Sequence, residues 1–144
     1  MPRADYVCAP RLRVRWAEVD MQKIVFNAHY LTYIDTAIAE YWREIGLPYP
    51  HGYVERYGSD IFLRKATVEY LGSARYDDEL TVCCRVAKLG RSSITFHFEI
   101  YRAAELLISA ELVYVNADAS MKAVPLPDDV RARVMKYERV APQT

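Results

Sequence analysis

No charge of one sign dominates this sequence. Nineteen basic and nineteen acidic side chains among 144 residues give a formal net charge of +0. So balanced a chain has no broad basic surface for nucleic acid or for an anionic membrane, although charge can still be concentrated locally. Cysteine is scarce. Cys8, Cys83 and Cys84 make an odd count with two residues adjacent, which is no disulfide framework, and no Cys-x-x-Cys spacing suggests zinc. In a strand Cys83 and Cys84 would point to opposite faces, one inward and one outward. All three are expected to be small apolar filler. Long apolar runs are missing too: charges interrupt every hydrophobic stretch well before the ~20 residues of a membrane span. The first ten residues lack the apolar run of a signal peptide, and the expected compartment is the cytoplasm.

Familiar catalytic signatures are also missing. The sequence has no GxSxG elbow, no phosphate-cradling GxxxxGK[ST], no GxGxxG and no HExxH. His29, His51 and His97 lie far apart and share no ligand spacing. No metal and no cofactor are therefore expected.

What remains is globular. Hydrophobic residues make up 52% and charged residues 26%, a composition that argues against disorder. A chain of this size can bury about 68–70% of its unfolded surface, so a core needs no staples. With no repeat, linker or low-complexity segment, one domain over residues 1–144 is expected, with a core of about 11–123.

The order of elements follows from periodicity. Arg11–Val19 reads as a first strand. Asn27 stands where a helix N-cap is favoured, and Leu31, Ile34, Ile38, Tyr41, Trp42 and Ile45 then recur at spacings of three and four. Gly46 supplies the stop and Pro48 prevents resumption, giving a helix of roughly 18 residues, about 27 Å long. Leu47–Ser59, rich in Pro, Gly and Tyr, reads as a loop with a short helical turn. Four strands follow, Asp60–Leu71, Glu79–Leu89, Ser92–Arg102 and Glu105–Asn116. The third places Ile94, Phe96, Phe98 and Ile100 on one face, and Thr95, His97, Glu99 and Tyr101 on the other. Short connections predict that neighbouring strands run antiparallel. Pro125 and Pro127 precede a polar helix over about 127–138. Five strands with one principal apolar helix predict an α+β arrangement in which the sheet wraps the helix.

Chemistry concentrates in Trp16–Thr36. Asp20 ends the first strand, and Asn27, Ala28 and His29 form the first turn of the helix. Unpaired N–H groups there, at the positive end of the helix dipole, suit an oxyanion or polarised carbonyl. A facing carboxylate could act as nucleophile, or as general base on water. The bland alternative is that Asp20 caps a turn and Asn27 caps a helix.

Asp20, the loop ending Ile24-Val25-Phe26, Asn27 and Tyr30 resemble the signature of hotdog-fold acyl-CoA thioesterases of the 4-hydroxybenzoyl-CoA thioesterase type. A second block, Phe62–Tyr70 followed by Ala74–Leu80, is similar to that family's second strand and the turn after it. The resemblance runs from about Leu12 to Met121. It implies a hotdog fold, a five-stranded antiparallel sheet around a long helix, and pairing into homodimers or homotetramers with active sites at the interface. Asp20 would attack the thioester carbonyl or activate water, while the N–H groups near Asn27, Ala28 and His29 polarise that carbonyl. Pantetheine would run beside Val68, Glu69 and Tyr70. The nucleotide phosphates of acyl-CoA would meet Arg91, with Ser92 and Ser93, and less directly Lys122 or Lys65.

Two departures stand out. The family often has glycine in the loop after the aspartate, where this chain has Met21-Gln22-Lys23; lysine adopts a positive φ only at a cost, and Lys23 could add charge near the thioester. Many members have histidine where Asn27 stands, and asparagine cannot transfer a proton at neutral pH. These departures keep open a non-catalytic acyl-CoA-binding module. A hotdog dehydratase on 3-hydroxyacyl thioesters is a further alternative, although no His–acid pair stands out.

Overall fold

The computed structural model describes residues 2–144. One antiparallel sheet contains β1 (Arg11–Arg13), β2 (Asp60–Tyr70), β3 (Glu79–Leu89), β4 (Ser93–Arg102) and β5 (Glu105–Ala117), in the spatial order β1-β3-β4-β5-β2. Helix α1 spans His29–Glu44, and a shorter helix, α2, spans Asp128–Tyr137. The four long strands end within one residue of the boundaries read from alternation. On β4 the apolar set Ile94, Phe96, Phe98 and Ile100 is buried, as its period of two requires.

The sheet curves around α1. Tyr30, Tyr33, Ile34, Ala37, Ile38, Tyr41 and Trp42 give the helix a wide buried stripe. Phe96 meets the Tyr41 ring at 5.4 Å and the Trp42 ring at 6.3 Å, both edge-on. Burying a side chain such as Phe96 contributes roughly 1.5–3 kcal/mol, and this helix–sheet layer supplies most of the core. The result is a hotdog fold.

Three expectations need correction. The first strand stops at Arg13, because the Glu18 carboxylate accepts the Arg15 N–H at 2.7 Å and winds Trp16–Glu18 into a 3-10 turn. Asn27 does not cap α1: the cap position is Ala28, with no side-chain hydrogen bond. β2 and β3, joined by a short connection, do not pair. β2 pairs with β5, and the connection passes over the start of α1, where the Ala74 N–H donates to the Tyr30 hydroxyl at 3.0 Å. The cysteines are as expected: Cys83 and Cys84 face opposite sides of the sheet and both are buried, Cys83 beneath a cover that includes Tyr6 and the N-terminal segment, and all three are free thiols. The Leu47–Ser59 loop does hold a helical turn, at His51–Glu55.

The two sheet edges differ. Beyond β1, the β3 edge is closed by bridges from Cys8 to Cys84 and from Gln143 to Lys88, so both ends of the chain cover it. The β2 edge has no partner strand among the described residues, and it exposes Phe62, Leu63, Tyr70 and Leu71.

Candidate active site

The loop from Asp20 to Phe26 is a tight turn closed on itself. The Asp20 N–H donates to the Ile24 carbonyl at 3.0 Å, and the Asp20 carbonyl accepts the Lys23 N–H at 2.9 Å. One carboxylate oxygen, Oδ1, accepts the Gln22 N–H at 2.8 Å. The other oxygen has no protein partner among the described residues. Lys23 adopts φ 65°, the left-handed conformation that a glycine would take without strain. The cost expected of a lysine in this loop is thus present.

Beneath the turn lies a brace that motif reasoning missed. Glu18 is 4% exposed, and its carboxylate accepts bonds from the Arg15 N–H (2.7 Å), the Arg15 guanidinium (3.0 Å) and the Tyr33 hydroxyl (2.9 Å). Burial works to raise the Glu18 pKa. The bonds from Arg15 and Tyr33 outweigh it and hold the group below its ordinary range. The Glu18 carbonyl accepts the Phe26 N–H at 2.9 Å, and the Val25 N–H reaches the Ala74 carbonyl at 2.9 Å. Glu18 therefore ties both ends of the Asp20 loop to α1. Nothing in its spacing marks it; an acid two residues before Asp20 reads as surface.

At the start of α1 the N–H groups divide. That of His29 is taken by the Phe26 carbonyl at 2.9 Å, whereas those of Asn27 and Ala28 donate to no protein acceptor among the described residues. Asp20, Val25, Asn27, Tyr30 and Tyr70 line one cleft of about 520 Å³. The Tyr70 hydroxyl donates to the Asn27 carbonyl at 3.3 Å, and its ring meets Tyr30 at 5.8 Å. A free carboxylate oxygen and free helix-terminal donors beside one cleft can work on opposite sides of a carbonyl.

The other expected residues fall elsewhere. Val68 packs against the core on the Tyr70 face of β2, but Glu69 faces the outer side of the sheet with Thr67, His97 and Glu111. A ligand running along β2 would thus meet the backbone at Glu69 rather than its carboxylate. Ser93 opens β4 opposite Val115, so Arg91 and Ser92 sit at the end of the sheet where Asp60 pairs with Ala117. Lys122 lies there too, its N–H bonded to Asp118 at 3.0 Å. Asp20 sits toward the Tyr70 end of β2, and the length of that strand, roughly 33 Å, separates the two groups within one chain. Lys65 lies midway, exposed. No cluster of three or more metal-ligating side chains occurs among the described residues, and no helix there is long and apolar enough to cross a membrane.

Comparison with known proteins covers most of the chain, the Asp20 loop and α1 included. The profile of a family described as the thioesterase-like superfamily matches residues 14–134. The chain is 29% identical over 123 residues to the Escherichia coli protein named acyl-CoA thioester hydrolase YbgC, spanning 84% of this chain and 90% of that one. Its fold matches a thioesterase from Thermus thermophilus crystallised with coenzyme A and Zn, with TM-score 0.82 and 26% identity over 93% of this chain and 96% of that one. A hypothetical protein from Aquifex aeolicus matches with TM-score 0.81 and 27% identity, over 88% and 98% of the two chains.

Proposed function

The chain belongs to the thioesterase-like superfamily, and from that premise we propose that this thioester hydrolase cleaves acyl-CoA to a carboxylic acid and CoA with Asp20 as its catalytic carboxylate. The observation that carries the reading is the cleft shared by Asp20 and the start of α1, with one Asp20 oxygen and the Asn27 and Ala28 N–H groups free of protein partners. As general base, Asp20 takes a proton from water as the water oxygen bonds to the carbonyl carbon. The helix-terminal N–H groups hold the developing oxyanion, the C–S bond breaks, and the proton passes to the leaving thiolate. As nucleophile, Asp20 forms a mixed anhydride, thiolate leaves, and water then cleaves the anhydride. Either route needs the carboxylate ionised and the loop held.

A single copy is half of the proposed unit. Antiparallel pairing of β2 with the β2 of a second copy would bring the partner's Asp60 end beside this chain's Tyr70 end. The cations at the far end of one sheet, Arg91 and Lys122, would then approach the Asp20 cleft of the other, where nucleotide phosphates could meet them. Three reduced cysteines suit the cytoplasm, where CoA thioesters are used.

The test is thiol release from a panel of acyl-CoAs. Asp20→Asn keeps the turn's size and its Oδ1 acceptor but removes the base, and turnover should fall by about 10²–10⁴-fold with circular dichroism unchanged. Full activity in that variant rules out this mechanism.

A further inference from the structure

Asp20 has a second side. Besides the cleft toward Tyr70, it lines a separate cleft of about 420 Å³ with Trp16, Val19, Lys23, Arg75 and Tyr76. Asp20 thus borders both cavities, so that a thioester held at Asp20 can send its CoA arm into one and its acyl group into the other.

The chemistry of this second cleft is specific. Trp16 is 77% exposed and Tyr76 51% exposed, and their rings meet edge-on at 5.2 Å. Two bare aromatic rings at a corner form walls for a flat, apolar group. Lys23 and Arg75 supply two cations, and neither has a carboxylate within 4.0 Å among the described residues. Lys23 is moreover held at φ 65°. Glycine would relieve that backbone at no steric cost, so the lysine side chain stands here against a conformational penalty. The backbone under Arg75 is fixed independently, its N–H donating to Asp78 at 2.8 Å.

We propose that this cleft is the acyl pocket, and that Trp16, Tyr76, Lys23 and Arg75 select an aromatic acyl group carrying its own anionic substituent. The inference rests on the thioesterase reading above and deepens it. The same chemistry, a flat ring with a negative charge, also describes the phosphorylated adenosine of CoA. Adjacency decides between them: a group beside Asp20 is within a few bonds of the reacting carbonyl, whereas the whole pantetheine arm separates that carbonyl from the nucleotide.

The experiment compares kcat/KM for benzoyl-CoA, 4-carboxybenzoyl-CoA and hexanoyl-CoA in the full-length protein and in Lys23→Gly, Arg75→Gln and Trp16→Ala. The wild type should favour the carboxylated ring over benzoyl by about tenfold, the scale of one charge-assisted contact. Lys23→Gly and Arg75→Gln should each lower that ratio by about threefold or more, and Trp16→Ala should raise KM for both aryl substrates more than for hexanoyl-CoA. Thioesters of 3′-dephospho-CoA separate the two sources of negative charge. If the cation variants respond to the loss of the 3′-phosphate and not to the acyl carboxylate, the cleft holds nucleotide and the proposal is overturned. It is equally overturned if thiol is released but the preference is absent, or survives both cation variants. No thiol from any substrate would instead sink the thioesterase reading itself.

Discussion

Glu18 is the residue on which the Asp20 turn rests, although it never faces the cleft. Its ionised carboxylate accepts three bonds from Arg15 and Tyr33, and Glu18→Gln would set an amide N–H₂ against donors. The expected cost is about 1.5–3 kcal/mol, the range for a hydrogen bond to a charged group, with a loss in melting temperature on the order of 5 °C. Because its pKa in the fold lies below the ordinary 4.5, the stabilisation is complete above that value and is lost as pH falls through the folded pKa. Thermal unfolding of both proteins from pH 7 to pH 3 checks this: the gap should be constant near neutrality and shrink below about pH 4.5. A gap that widens on acidification would show that Glu18 is buried uncharged. The place of Asp20 at the candidate site was legible in the sequence because a motif surrounds it. Glu18 was not, since its role depends on a hydroxyl fifteen residues away meeting it in space.

Among the elements, α1 shows how termini decide placement. Its C-terminal end is set by Gly46 at φ 83° and by Arg133, whose Nη1 donates to the Ile45 carbonyl at 2.9 Å. A Cβ on Gly46 would lie 2.8 Å from that same Nη1. Gly46→Ala should therefore cost about 1–2 kcal/mol for the left-handed backbone alone, and should also displace Arg133 and loosen α2 from α1. Urea titration of Gly46→Ala and Arg133→Ala, singly and together, checks the coupling: the double variant should lose less than the two single losses added. Simple additivity would mean that Arg133 does not report on the glycine. This stop was readable from sequence, as were the long strands, because periodicity and glycine act locally. The pairing of β2 with β5 was not, since nothing in the Gly72–Asp78 connection records that both chain ends already occupy the free edge of β3. The early stop of the first strand was hidden for a similar reason, because Val14, Trp16 and Val19 imitate strand alternation while a buried acid winds the chain there into a turn.

For the whole molecule, the asymmetry of the sheet edges argues for assembly. An eleven-residue edge strand with exposed Phe62, Leu63 and Tyr70 and no covering segment among the described residues is a template for pairing, whereas the opposite edge is sealed. Pairing two copies through β2 about a two-fold axis closes the open edges against each other and leaves none free. The same operation accounts for two groups of expected ligand residues lying at opposite ends of one sheet. Sedimentation velocity should therefore give a mass of at least twice the 16.7 kDa chain. Replacing both Phe62 and Leu63 with lysine sets charges in place of apolar side chains along the paired edge, at each end of the seam, and should yield a folded monomer. Neither residue belongs to the Asp20 loop, so that loop should remain intact in the monomer. If Arg91 and Lys122 serve the neighbouring copy, the monomer should lose acyl-CoA turnover mainly through a raised KM. Substrates shortened to acyl-pantetheine, which carry no nucleotide phosphates, should lose much less. A monomer with unchanged KM for both substrates would place the whole site within one chain, and the cations at the far end of the sheet would then have no part in it.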